Sequence, residues 1–234
     1  MRAIIKRELY SYFCSPLAYV IMAIFLFFAG LFFTLICLSN SNSKLTYVFT
    51  NMFLVTTFLT PMLCMRLMSD EKRLKTDQAL LTSPVSILGI VLGKFFAACL
   101  LFLISMSIFL IFGLVLSFFT SPGWPVILCN LLGLFLLAAT FISIDIFLSS
   151  LTESQVIAAV CGFAAGLFVY LLDNVANAVT VSVVRKVLNA VSFMAHYQNF
   201  TVGILNLADI IFFLSIIALF VFLTVRVIEK KRWS

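Results

Sequence analysis

Histidine occurs once and acidic residues only nine times in the 234-residue chain. General acid-base chemistry has almost nothing to work with. His196 has no Cys or Ser motif beside it, and HExxH, GxSxG and Walker phosphate-loop patterns are missing from the sequence. The chain therefore reads as a non-enzyme with no catalytic residues, metal site or cofactor of its own. Six cysteines are scattered without a CxxC pair, mostly inside apolar runs, where they serve as small buried residues rather than a zinc site or disulfide framework. No dense basic tract with interleaved aromatics occurs, so the net charge of +6 does not indicate nucleic acid.

Charge itself is scarce. Only 10% of residues are charged against 64% hydrophobic, with a mean hydropathy of +1.22. A soluble domain of this length cannot cover so much apolar surface. The apolar runs are continuous rather than alternating, which excludes a membrane barrel. What remains is an all-α polytopic membrane protein forming one domain over residues 1–234.

The runs predict six spans near 17–38, 45–67, 87–119, 124–149, 155–172 and 205–225, each able to cross about 30 Å of hydrocarbon with about 20 residues. Pro61 lies inside the second and predicts a kink. The fifth is rich in Gly and Ala, including Gly162 and Gly166, which suits close helix packing. Before the first span, residues 1–15 form an amphipathic helix lying in the interface and ending near Ser15-Pro16, with no small-residue cleavage site after a short apolar core. Ile4, Ile5, Leu9, Tyr12 and Phe13 share its apolar arc, and Glu8 intrudes on that arc. Residues 173–204 mix polar residues with valines every fourth position and predict an outer amphipathic or re-entrant segment.

One long charged interval separates the apolar runs, Arg66 to Lys94. Ser69 fits an N-cap, with Asp70 and Glu71 at the positive end of a short helix over about 70–82, and Ser83-Pro84 stops it. With the N-terminus inside, 12 of the 15 Lys and Arg fall on the inner side; Lys44, Arg185 and Lys186 remain outside. That bias predicts cytoplasmic termini and a cytoplasmic charged interval.

Charges within spans are functional candidates by default. Asp145, in FISIDIFLSS, either reaches the headgroup region from near the inner end of the fourth span or lines a translocation path. Asp209 near the outer end of the sixth span presents the same choice. His196 is either a gate residue or a satisfied interfacial residue beside Tyr197 and Asn199. Neither an acid series for a proton relay nor an arginine ladder for voltage sensing is present.

Three blocks carry a family resemblance over nearly the whole chain: FCSPLAYVIMAIFLFFAGLFF, PMLCMRLMSDEKRLKTDQALLTSPVSILGIVLGKF, and AHYQNFTVGILNLADIIFFLSIIALFVFLTVRVIEKKRW. They resemble the type-2 ABC exporter permeases, most nearly the gliding-motility type. Glu71, Thr76, Ser83 and Pro84 match the family's central pattern, while Lys75 and Gln78 depart from it. The resemblance implies a connecting helix at 1–15 and a coupling helix near 70–82. Contact with a dimer of ABC ATP-binding subunits would fall to Glu71, Lys72, Arg73, Thr76, Ser83, Pro84, Arg7 and Glu8. ATP and Mg would sit on those subunits. A second permease, identical or homologous, and a periplasmic or auxiliary membrane subunit would complete the assembly in the bacterial inner membrane. The alternative is a scaffold that transmits motor force to an envelope machine without moving a substrate; an ion-driven carrier would need an inverted repeat and mid-membrane acids.

Overall fold

The computed structural model describes residues 2–38, 45–73, 86–119, 123–178 and 190–233. Among these the chain is helical with no strand. The helices are α1 (Arg2–Cys14), α2 (Pro16–Phe32), α3 (Thr46–Arg73), α4 (Ile87–Met106), α5 (Ile108–Ser117), α6 (Trp124–Leu151), α7 (Gln155–Ala178), α8 (Phe193–Val202) and α9 (Leu207–Trp233). Six segments are long and apolar enough to span a membrane: Pro16–Cys37, Thr46–Arg73, Ile87–Ser117, Trp124–Leu151, Gln155–Leu172 and Leu207–Lys230. All six expected spans are present, and the protein is a multi-pass membrane protein.

The α1–α2 junction follows from Ser15-Pro16. Pro16 has no N–H to lose in a first turn, and the Ser15 hydroxyl accepts from the Leu17 N–H. Helix α6 is central, packed by α3, α4, α7, α8 and α9. Its contact with α8 is close because Gly133 has no side chain: a Cβ there would lie 2.5 Å from the Phe200 Cβ. Gly162 and Gly166 do the same for α7 against α3, where added Cβ atoms would meet Pro61 at 2.7 Å and Thr57 at 2.6 Å. Opposing aromatic rings fill the centre, Phe25 on Phe102 at 5.3 Å and Phe49 on Phe109 at 4.5 Å. The Tyr197 hydroxyl donates to the Phe49 carbonyl at 2.8 Å and ties α8 to α3.

Three expectations need correction. Ser69 is not an N-cap: α3 runs unbroken through Arg73, and the Ser69 hydroxyl donates to the Met65 carbonyl inside it. Asp70 and Glu71 therefore lie far along a long helix rather than at a positive dipole end. The third span is two helices, because at Ser107 both the backbone N–H and the hydroxyl turn to the Ile104 carbonyl, at 3.2 and 2.7 Å. Residues 173–178 continue α7 rather than opening the outer segment. Of the coupling and re-entrant segments, residues 74–85 and 179–189 lie outside the described residues.

A charged junction at the end of the second span

Helix α1 packs through Ile4, Glu8 and Tyr12, three residues four apart on one face, each with 8% of its surface exposed. This explains the acid that interrupts the apolar arc: Glu8 is buried because its partners are buried with it. The Glu8 carboxylate accepts from Arg7 at 2.6 Å and from Lys94 of α4 at 3.2 Å. Glu71 of α3 takes the same two partners, Arg7 at 2.5 Å and Lys94 at 3.0 Å.

Lys94 is the centre of this junction. Its side chain is 1% exposed, and it spends its third donor on the Leu67 carbonyl at 2.6 Å. An ammonium has three donors, and here they reach two carboxylates and a backbone oxygen on two helices. Burial of such a group is tolerable only with this degree of compensation. Lys94 thereby fastens α4 to both α1 and α3.

The rest of the α3 terminus is anchored likewise. Arg66 pairs with Asp70 at 2.9 Å and donates to the Ser15 hydroxyl at 2.8 Å, gripping the α1–α2 junction. Arg73 approaches Asp70 at 3.5 Å, and Gln155 at the start of α7 donates to the same carboxylate. Lys72 donates to the Ser150 carbonyl in the last turn of α6, where a cation meets unpaired carbonyls and the negative end of the dipole. The Ser149 hydroxyl lies 3.3 Å from the Met68 N–H and 3.2 Å from the Ser69 N–H. The two acids that lost a favourable N-terminal dipole are thus held by Arg66, Arg73, Arg7 and Lys94 instead. Partial burial alone would lower the Arg7 pKa, but the hydrogen bonds and charges of Glu8 and Glu71 outweigh it and the pKa is raised. Between α1 and α3 a half-open cleft of about 390 Å³ is lined by Arg7, Ser11, Tyr12, Arg66 and their partners. Tyr12 closes its floor by donating to the Leu63 carbonyl at 3.0 Å; burial pushes its phenol well above the ordinary value.

Of the eight expected contact residues, Arg7, Glu8 and Glu71 converge here. Lys72 reaches α6, and Arg73 keeps a side chain 62% exposed. Thr76, Ser83 and Pro84 lie outside the described residues. Asp145 is elsewhere, within α6 and 5% exposed. At the opposite end His196 meets Asp209 at 2.5 Å, Asn199 donates to the same carboxylate at 2.8 Å, and the imidazole stacks on Phe212 at 4.1 Å. Asp209 there occupies the first turn of α9. Sequence reasoning missed Lys94 as the keystone, although a lone ammonium eight residues into an apolar run was its signal.

The arrangement joins three helices by charge and adds two more at one helix end, directly before residues 74–85. No group of three His, Cys, Asp or Glu side chains that could hold a metal ion is assembled among the described residues. It is suited to passing force between helices. A search of curated proteins finds no match. The sequence does match the family model described as ABC-2 family transporter protein over residues 49–233, well over half its length, and the chain belongs to that family of transporter membrane proteins.

Proposed function

We propose that this chain is the permease subunit of an ATP-driven export complex, near the gliding-motility type, with both termini cytoplasmic in a bacterial inner membrane. Family membership implies association with an ABC ATP-binding subunit. In this proposal two such subunits bind ATP and Mg and press on residues 74–85. The observation that carries the proposal is the junction at Lys94: Glu8 of α1 and Glu71 of α3 share one buried ammonium of α4. A push on the segment between α3 and α4 then moves α1, α3 and α4 as one body. The path between two permease domains changes access when nucleotide states favour different arrangements. The exposed Arg73 and Arg7, with Thr76, Ser83 and Pro84, supply the surface that meets the motor, while Glu8, Glu71 and Lys72 brace it from within.

Co-purification with the ATP-binding subunit tests this. Arg73→Glu combined with Thr76→Ala is expected to weaken recovery of the motor subunit and its coupled ATP hydrolysis while the permease still folds. Undiminished recovery and coupling in that variant overturn the assignment of the contact surface.

A further inference from the structure

The cleft between α1 and α3 has spare hydrogen-bonding capacity of one kind. Arg7 spends only its Nη2 on Glu8 and Glu71. Arg66 spends Nε on Asp70 and Nη1 on the Ser15 hydroxyl. A guanidinium donates from every nitrogen, yet Arg7 Nε and Nη1 and Arg66 Nη2 make no hydrogen bond to a described residue. The Ser15 oxygen accepts from Arg66 and from the Leu17 N–H, so its own hydrogen is left to give. Ser11, exposed on α1, lines the same cleft. The carboxylates are already engaged: Glu8 and Glu71 each hold Arg7 and Lys94, and Asp70 holds Arg66 and Arg73. What the cleft has left over is donors.

Charge and position agree with this. Four cations, Arg7, Arg66, Arg73 and Lys94, meet three carboxylates, Glu8, Asp70 and Glu71, which leaves one positive charge over. Helix α2 starts at the cleft, beside Ser15 and Leu17, and a helix N-terminus favours an anion. The span Pro16–Cys37 begins there and the span Thr46–Arg73 ends there, and the charged end of a span lies among lipid headgroups. Phe13 and Tyr19, both exposed, pair edge to face at 6.1 Å on the α1–α2 corner, an aromatic anchor of the kind found at that level. We propose that this cleft of about 390 Å³ binds the phosphate of an anionic phospholipid headgroup of the glycerol type. The phosphodiester takes N–H groups from Arg66 and Arg7 and hydroxyls from Ser15 and Ser11, and its one negative charge matches the excess. A zwitterionic headgroup brings an ammonium as well, for which carboxylates already shared by two cations leave no unbalanced charge. The volume falls within the range of about 300–1,000 Å³ that small-ligand sites span. A lipid held there ties the joint of α1 and α3 to the bilayer. The inference goes beyond the export reading and does not need it, since any leaflet at this end of the bundle supplies the ligand.

The experiment is thermal unfolding of the full chain in phosphatidylcholine nanodiscs carrying increasing fractions of phosphatidylglycerol at constant ionic strength. Wild type is expected to gain a saturable rise in Tm, as a ligand of the folded state produces. Arg66→Gln is expected to move the midpoint of that rise at least about tenfold, or beyond the series, the worth of one charge-assisted contact. Lys230→Gln removes the same charge from the exposed end of α9, outside the cleft, and is expected to leave the midpoint unchanged. Should Arg66→Gln not fold, the exposed Ser11→Ala carries the comparison, with a shift of about fivefold expected. Free glycerol phosphate added to pure phosphatidylcholine discs separates a lipid from a soluble phosphate ester, and is expected to give no rise. A Tm indifferent to phosphatidylglycerol overturns the proposal. So does an unchanged midpoint in Arg66→Gln, or in Ser11→Ala where only that variant folds. Equal shifts in the cleft variant and Lys230→Gln assign the effect to general surface charge, and a rise with free glycerol phosphate assigns it to a soluble ligand; either overturns the lipid site.

Discussion

Replacing Lys94 by Met removes one ammonium while keeping the length and apolar stem of the side chain. The contacts at 3.0 Å to Glu71 and 3.2 Å to Glu8 each correspond to about 5 kcal/mol of gross attraction at an effective dielectric of 20. Burying the charges offsets much of that, so the gross sum is not the cost. The cost is set by what is left behind. Glu8 and Glu71, with side chains 11% and 17% exposed, would lose the ammonium they share and keep Arg7, whose own side chain is 50% exposed. Removing one partner of a buried pair costs about 3–5 kcal/mol. For a chain of this length that lowers Tm by about 6–20 °C. Thermal unfolding in nanodiscs reads it, and a double-mutant cycle with Glu71→Gln isolates the pair, with a coupling of about 1–3 kcal/mol expected. Restoring neutrality in Glu8→Gln/Glu71→Gln/Lys94→Met should recover most of the loss, because no carboxylate is then stranded. A Tm within about 2 °C of wild type for Lys94→Met, or strict additivity with Glu71→Gln, would refute the keystone role.

Burial pushes the Tyr12 and Tyr197 phenols above their ordinary value near 10. Their contribution to stability is therefore intact below pH 10 and is lost as pH climbs from there toward the folded-state values, because the unfolded phenols ionise first. Tyr12→Phe should flatten the alkaline fall in Tm and cost about 1 kcal/mol at neutral pH for the bond to the Leu63 carbonyl; an unchanged alkaline slope contradicts this. Gly133→Ala should destabilise by about 1–3 kcal/mol, since the new methyl meets the Phe200 Cβ at 2.5 Å. Gly30→Ala, with nothing within 4 Å of its Cβ position, should be neutral or stabilising. Equal Tm values for these two variants would remove the packing argument for Gly133.

The number of spans, the helical class and a separate helix ahead of the first span were legible in the sequence because bilayer thickness and backbone hydrogen bonding constrain them locally. A run of about 20 apolar residues has one stable outcome whatever lies beside it. The stop at Ser15-Pro16 was equally local. The small residues of the fifth span announced close packing, and Gly162 and Gly166 fulfil it against Pro61 and Thr57. Where sequence reasoning placed a boundary by cap chemistry alone, at Ser69, it failed. The Ser69 hydroxyl found an acceptor within α3, and the charged turn after it was stabilised by other helices rather than by a dipole. Only the tertiary structure decided that Glu8, Glu71 and Lys94, separated by 64 residues between Arg7 and Glu71 and by 86 between Glu8 and Lys94, form one junction. The same holds for Asp145 of α6, which meets Thr60 of α3 and the Gly162 backbone of α7. The sequence determined where the chain must be apolar. Which of its few charges met inside the bundle depended on helix rotation and packing, which no local run of residues encodes.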